Sequence, residues 1–224
     1  MSENQSIRSL GAVELRTRRE VIVDRLRDAV IEGTLAPGTH LGEVELSESL
    51  GVSRGTLREA FRHLQQEGLL VSDARGRLSV RSVSPAEVTE IFQVRESLEA
   101  LGISMTCALP DRSQVVADLE AALSRLDSPD LTVAQRVQAD LDFHEIFLAA
   151  SGNATLVETW RWISGFVRVS IVAAGTGTAM DNMTVERHRP ILNHVKNGDP
   201  AAARAYLSDH MTSAAARIIE SLQP

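Results

Sequence analysis

Residues 45–68, with the sequence ELSESLGVSRGTLREAFRHLQQEG, constrain the fold more than any other segment of the chain. Leu46 and Leu50 lie one turn apart and predict an apolar face on a short helix. Gly51 follows where the chain must turn, since glycine adopts the left-handed conformation that ends helices. Ser53 then stands where an N-cap hydroxyl accepts the free amides of a second helix. The segment therefore predicts a helix-turn-helix.

The second helix of this motif is predicted over residues 54–67. One of its faces is apolar, with Leu57, Phe61 and Leu64 at helical spacing. Another face carries Arg54, Arg58 and Arg62, four residues apart. An arginine guanidinium can donate two hydrogen bonds to the two acceptors on the edge of a guanine base. The backbone amides and hydroxyl groups at a helix N-terminus can bind phosphate. The alternative is that these arginines form an ordinary solvated face.

A β-hairpin is predicted directly after this helix. Residues 69–71 and 78–83 have strand character, and the polar turn between them contains Gly76. A hairpin in this position is a wing, whose tip residues Arg75 and Arg77 can enter a minor groove or contact phosphate. The whole chain has a net charge of -7, yet residues 51–82 contain six arginines and only three acidic residues. This local charge favours double-stranded DNA as the partner.

The rest of the chain is predicted to be helical. We expect disorder over residues 1–12, a winged helix-turn-helix domain over 13–83 and an all-helical domain over 84–224. The second domain begins with Ser84, Pro85 and Glu87, which form a helix start signal. Six helices are predicted in it, over residues 85–108, 111–126, 130–150, 153–174, 184–197 and 199–222. The expected fold class is mainly α, with a winged helix-turn-helix followed by a six-helix bundle.

Four residues of the second domain form a candidate metal site. Asp140 and His144 lie four residues apart and share a helix face, while His188 and His210 lie on the last two predicted helices. A carboxylate with three imidazoles is a ligand set for a divalent transition metal. The alternative is a surface hydrogen bond between Asp140 and His144, because six histidines are ordinary in a chain of 224 residues.

The helix-turn-helix resembles that of the GntR family of bacterial transcription regulators. The resemblance begins at residues 25–41, where a helix ends and a Pro-Gly turn follows, and it is most specific in Gly51-Val52-Ser53-Arg54 and Arg58-Glu59-Ala60. It implies operator contacts by four side chains and places a glycine at the wing tip. The four side chains are Ser53, Arg54, Thr56 and Arg58, and the glycine is Gly76.

The second domain resembles the FCD effector domain of the FadR branch of that family, in its six-helix, VanR-like subgroup. The resemblance is carried by residues 139–144, 152–153, 186–192, 198–199 and 205–210. It implies that Asp140, His144, His188 and His210 bind zinc, nickel or manganese, and that a small carboxylate effector reaches the metal. Arg95, Arg168 and Asn153 are the candidate effector contacts. The alternatives are an ion pair of Arg95 with Glu99 and helix capping by Asn153.

These observations predict a transcription regulator, specifically a repressor, that binds a palindromic operator as a homodimer. A small organic acid would control it through the metal site. The N-terminus has no apolar leader and no segment is apolar over bilayer length, so we expect a cytoplasmic protein without a membrane partner. Two alternatives remain open: a metal-dependent hydrolase fused to a DNA-binding domain, and a regulator whose metal is purely structural.

Overall fold

The structure, a computed structural model, describes residues 17–223. The predicted disorder at 1–12 and the first residues, 13–16, of the predicted winged helix-turn-helix domain lie outside the described residues. The N-terminal part contains, in chain order, α1 (Arg18–Ile31), α2 (Glu43–Leu50), α3 (Arg54–Gln66), β1 (Leu70–Ser72) and β2 (Leu78–Val80). The C-terminal part contains α4 (Pro85–Cys107), α5 (Ser113–Leu126), α6 (Val133–Ala150), α7 (Ala154–Ala173), α8 (Gly175–Asn182), α9 (Val185–Asn197) and α10 (Pro200–Ser221). The mainly helical fold class is therefore confirmed.

The turn between α2 and α3 forms as the sequence predicts. Gly51 ends α2 in the left-handed conformation, with φ 63° and ψ 38°. The Ser53 hydroxyl then accepts the amide of Thr56 at 3.1 Å and caps the start of α3. Leu57, Phe61 and Leu64 of α3 are buried, and they pack with the buried face of α1. The helix-turn-helix thus has its own small hydrophobic core.

The wing contains one more strand-like segment than the sequence predicts. β1 and β2 pair antiparallel, with Leu70 opposite Val80 and Ser72 opposite Leu78. The segment 38–41, which begins in the predicted Pro-Gly turn over residues 34–40, also runs along β2, where the Leu41 amide donates to the Leu78 carbonyl at 2.9 Å. This pairing depends on a contact between residues almost forty positions apart, which local patterns do not show.

The C-terminal part is a bundle in which one helix was not predicted. α7 ends at Ala173, and Gly175 has a φ of 79°, so glycine breaks the helix where the sequence indicates. The chain then forms the short helix α8 instead of a loop, because Ala179 and Asn182 are buried against the bundle. None of the described helices is both long and apolar enough to cross a membrane.

The two parts meet where α7 crosses the end of α3. Gly165 lies so close to this end that a Cβ atom there would be 1.6 Å from the carbonyl oxygen of Glu67. Val169 of α7 is buried in the core of the N-terminal part. Glu67 also forms an ion pair with Arg27 of α1 at 2.5 Å. The end of the recognition helix, which is α3, is therefore fixed against a helix of the bundle.

Candidate metal centre and DNA-binding surface

The start of α3 presents polar groups to solvent. Ser53, Arg54 and Arg58 are exposed, and Thr56 is partly exposed. The Thr56 hydroxyl lies 2.9 Å from the Ser53 hydroxyl. Arg54 has no hydrogen bond or ion pair within the described part of the chain, whereas Arg58 binds Glu43 at 2.8 Å. Arg54 therefore has all of its donors available for an external acceptor.

The wing tip is also exposed and basic. Gly76 has a φ of 77°, which permits the tight turn at the tip. Asp73 accepts the backbone amides of Arg75 and Arg77 and binds the Arg77 guanidinium at 2.8 Å. These bonds, led by the amide of Arg77, hold the pKa of Asp73 below its usual range. The tip is thus held in shape by Asp73, and the Arg75 side chain is left exposed.

The bundle brings together three histidines that lie far apart in the sequence. His144 on α6, His188 on α9 and His210 on α10 each offer one nitrogen, and these three atoms lie within 4.8 Å of one another. All three side chains are buried. The Nε2 atoms of His144 and His188 are 3.3 Å apart. Asp140 joins the group through its Oδ1 atom, which lies 2.9 Å from His188 Nε2. We call these four residues the histidine site.

Partners behind the site fix two of the imidazoles. Glu99 accepts from His144 Nδ1 at 2.6 Å, and the Thr184 carbonyl accepts from His188 Nδ1 at 2.7 Å. In both rings this partner holds the Nδ1 atom, so the Nε2 atom is the one that faces the other imidazole and would bind a metal once it carries no proton. Sequence reasoning missed this role of Glu99. The available signal was a carboxylate and an arginine, Arg95, on a helix face that is otherwise apolar.

The ionisable groups of the site influence one another strongly. Burial raises the pKa of Asp140, but the neighbouring His188, together with His144 and Arg95, outweighs burial and lowers that pKa to about 2. Burial also raises the pKa of Glu99, and His144 with Arg95 reverses this effect, so the pKa is lowered overall. The pKa of His210 is far below its usual value because burial and the other two histidines disfavour its charged form. The site therefore combines ionised carboxylates with a neutral His210.

The residues fit a divalent transition metal. Ligand nitrogens of a tetrahedral zinc ion, each about 2.0–2.1 Å from the metal, lie roughly 3.3 Å apart, and the His144 and His188 Nε2 atoms have this separation. His210 Nδ1 is buried without a hydrogen-bond partner in the described chain, which is costly for a polar atom unless something binds there. The metal ligands would be Asp140, His144, His188 and His210. A metal bound there would supply positive charge for a carboxylate effector.

The three candidate effector residues lie in different places. Arg95 is buried at the histidine site, with its Nη2 4.0 Å from Asp140 and its Nε bound to Glu99 at 2.7 Å. Arg168 lies instead near Glu67 and Arg27 of the N-terminal part, and it donates to Gln138 of α6 at 2.6 Å. Asn153 caps α7 by accepting the Leu156 amide at 3.1 Å. Only Arg95 therefore lines the cavity at the histidines.

This cavity is small. Its volume is about 10 Å³, and its walls include Arg95, Asp140, His210 and Asn182. One water molecule needs roughly 10–15 Å³ by such a measure. An organic acid could enter only if part of the wall moved.

Comparisons with known proteins agree with this architecture. The family model described as the FCD domain matches residues 90–213, and the one described as bacterial regulatory proteins of the gntR family matches residues 18–80. An HTH-type transcriptional regulator of Mycobacterium tuberculosis is 30% identical, over 90% of either chain. A protein of Paenarthrobacter nicotinovorans, named as the probable D-xylose utilization operon transcriptional repressor, is 27% identical over 91% of this chain and 92% of its own.

The structural comparison leads to the same group of proteins. A crystal structure of a GntR transcriptional regulator from Rhodococcus sp. RHA1 matches with a TM-score of 0.72 and 26% identity, and it covers 92% of this chain and 99% of its own. These relatives are transcription regulators and not enzymes, so the hydrolase alternative has no support. Since the FCD match alone spans more than half of the chain, this protein belongs to the GntR family of bacterial transcription regulators, in the branch that carries an FCD domain.

Proposed function

We propose that this protein is a metal-dependent repressor that works in the cytoplasm as a homodimer on a palindromic operator. A small carboxylate bound at the metal of the histidine site would control it. One observation carries this proposal: three imidazoles that cannot all be satisfied by protein partners converge in a bundle that contacts the recognition helix. The relative from Paenarthrobacter nicotinovorans, named as the probable D-xylose utilization operon transcriptional repressor, supports repression as the direction of control.

Helix α7 contacts both the histidine site and the end of the recognition helix. Its Trp160 ring lies 6.4 Å from the His144 ring, and its Ile171 lines the cavity. Between them, Gly165 touches the end of the recognition helix. Any ligand that displaces α7 at the cavity would therefore change the support of α3, which is the physical requirement for coupling two sites.

An exposed apolar patch supports the homodimer. Four of the large hydrophobic residues with high exposure lie on α4 and α7, namely Val94, Leu101, Met105 and Trp162. Trp162 is the most exposed of them, at 63%. Patches of this kind commonly mark association surfaces. A two-fold dimer would place two recognition helices on successive major grooves.

The decisive experiment measures metal and operator binding together. The wild type and a His144→Ala/His210→Ala variant are dialysed exhaustively, and their metal content is determined by elemental analysis. We expect about one equivalent in the wild type and none in the variant, with metal-dependent carboxylate binding only in the wild type. Absence of metal in both proteins, even after addition of zinc, nickel or manganese, would refute the metal-dependent part of the proposal.

A purely structural metal would give a different result. Chelation would then lower the melting temperature, while no carboxylate would alter the affinity for an operator selected from random duplexes. Our proposal expects at least one carboxylate to change that affinity by about 5–150-fold. Fluorescence anisotropy with and without metal separates the two cases.

A further inference from the structure

Two arginines that contact Asn182 of the cavity wall have no acidic partner in the described part of the chain. Arg187 on α9 and Arg217 on α10 are both partly buried. Among residues 17–223, no carboxylate oxygen lies within ion-pair distance of either guanidinium, and the oxygens that accept from them belong to neutral groups. Like charges gathered in a partly buried place are costly unless an anion compensates them.

Both arginines bind the same residue, Asn182, at the end of α8. Arg217 donates to its side-chain oxygen at 2.8 Å, and Arg187 donates to its backbone oxygen at 3.3 Å. Arg187 further donates to the His210 carbonyl at 3.1 Å and to Ser213 Oγ at 2.9 Å. Neutral oxygens thus occupy the positions where an anion would bind.

Asn182 also forms part of the cavity wall at the histidine site. It lines the same cavity as Asp140 and His210. Its side-chain amide is held on the bundle side only by a long bond of 3.4 Å to the Ala214 carbonyl. The cavity, with a volume of about 10 Å³, has to enlarge before an effector enters. Displacement of Asn182 would enlarge it and would expose Arg217 and Arg187.

We propose that Arg187 and Arg217 form a second anion subsite, so that the effector is an acid with two anionic groups. One carboxylate would reach the metal of the histidine site, and the other would replace the Asn182 oxygen at the arginine pair. The physical basis is that charge-assisted hydrogen bonds to guanidinium are about twice as strong as neutral ones. This inference rests on the proposed function, and it specifies the ligand class of that site.

Matched acids test the inference. Zinc-loaded protein is titrated in thermal-shift and calorimetric experiments with malonate, succinate and glutarate, each beside the monocarboxylate of the same chain length. We expect one diacid to bind at least about 10-fold more tightly than its monoacid, which corresponds to one ionic contact. Arg217→Gln should abolish this advantage and leave monoacid binding unchanged. Arg204→Gln, an exposed arginine of the same helix, should keep it.

A second variant tests the subsite without any ligand. Asn182→Asp places a carboxylate between the two arginines. This substitution should raise the melting temperature of the otherwise wild-type protein, and the increase should be a few degrees larger than in the protein that also carries Arg217→Gln. It should also block the diacid advantage. Equal binding of diacids and monoacids, or a diacid advantage that survives Arg217→Gln, would overturn the inference. If monoacids still bound in a metal-dependent way, the proposed function would stand without the second anion subsite. If no acid bound at all, both the carboxylate control and the second subsite would be refuted.

Discussion

The recognition helix and the histidine site are built in opposite ways. The groups of α3 that face solvent come from one short segment, and local rules such as the Ser53 cap are enough to place them. The histidine site takes its residues from three helices, and residues separated by 44 positions have nitrogens 3.3 Å apart. Local damage should therefore be confined in the first region, and it should spread through shared contacts in the second.

Removal of the Arg54 side chain gives the largest expected effect and tests the independence of the recognition helix. Arg54→Ala should weaken operator binding by about 5–150-fold, because one guanidinium contact with a base edge is worth about 1–3 kcal/mol. Metal content should not change. Arg62→Ala, farther along α3 and paired with Glu59, is the control, and an equal loss in both variants would show that only general charge matters.

Glu99→Gln tests whether the buried site depends on its outer partner. The substitution keeps the size of the side chain but removes the charge that orients His144. Metal affinity should fall by about 10–100-fold, as measured by competition with a chromophoric chelator. Glu96→Gln, on the same helix and partly exposed, should leave the affinity unchanged. An unaltered affinity in Glu99→Gln would mean that Glu99 only compensates Arg95.

Gly165→Ala tests the contact between the two regions. A Cβ atom would clash with the Glu67 carbonyl, and such overpacking should cost about 1–3 kcal/mol in the free energy of unfolding. Denaturant unfolding measures this loss. Gly177→Ala is the matched control, because nothing lies within 4 Å of its Cβ position. If Gly165→Ala left both stability and ligand control of operator binding unchanged, α7 would not couple the two regions.

The smallest effect is expected at the wing. Arg75→Ala should weaken binding to all duplexes alike and reduce the slope of log affinity against log salt by about 1, as expected for one lost phosphate contact. Arg125→Ala removes an exposed arginine of the bundle and should not change the slope. Loss of preference among sequences in Arg75→Ala would instead indicate that the wing reads bases.

The candidate effector residues show where sequence reasoning reached its limit. Asn153 follows a glycine and precedes a helix, and it caps that helix by a local bond. Arg95 and Glu99 are four residues apart, so their ion pair was one of two alternatives at the sequence level. Arg168 lies instead at the junction with the N-terminal part, because its direction depends on how α7 packs. Burial there lowers the pKa of Arg168.

The sequence by itself determined the elements whose causes are local. These are the turn at Gly51, the cap at Ser53, the start of α4 at Ser84 and the basic charge of residues 51–82. Tertiary structure alone decided that α8 forms, that segment 38–41 joins β2, that Glu99 supports His144 and that Arg187 and Arg217 meet at Asn182. The physical reason is range: caps and turns involve residues within about four positions, whereas buried polar contacts exist only after distant helices have packed.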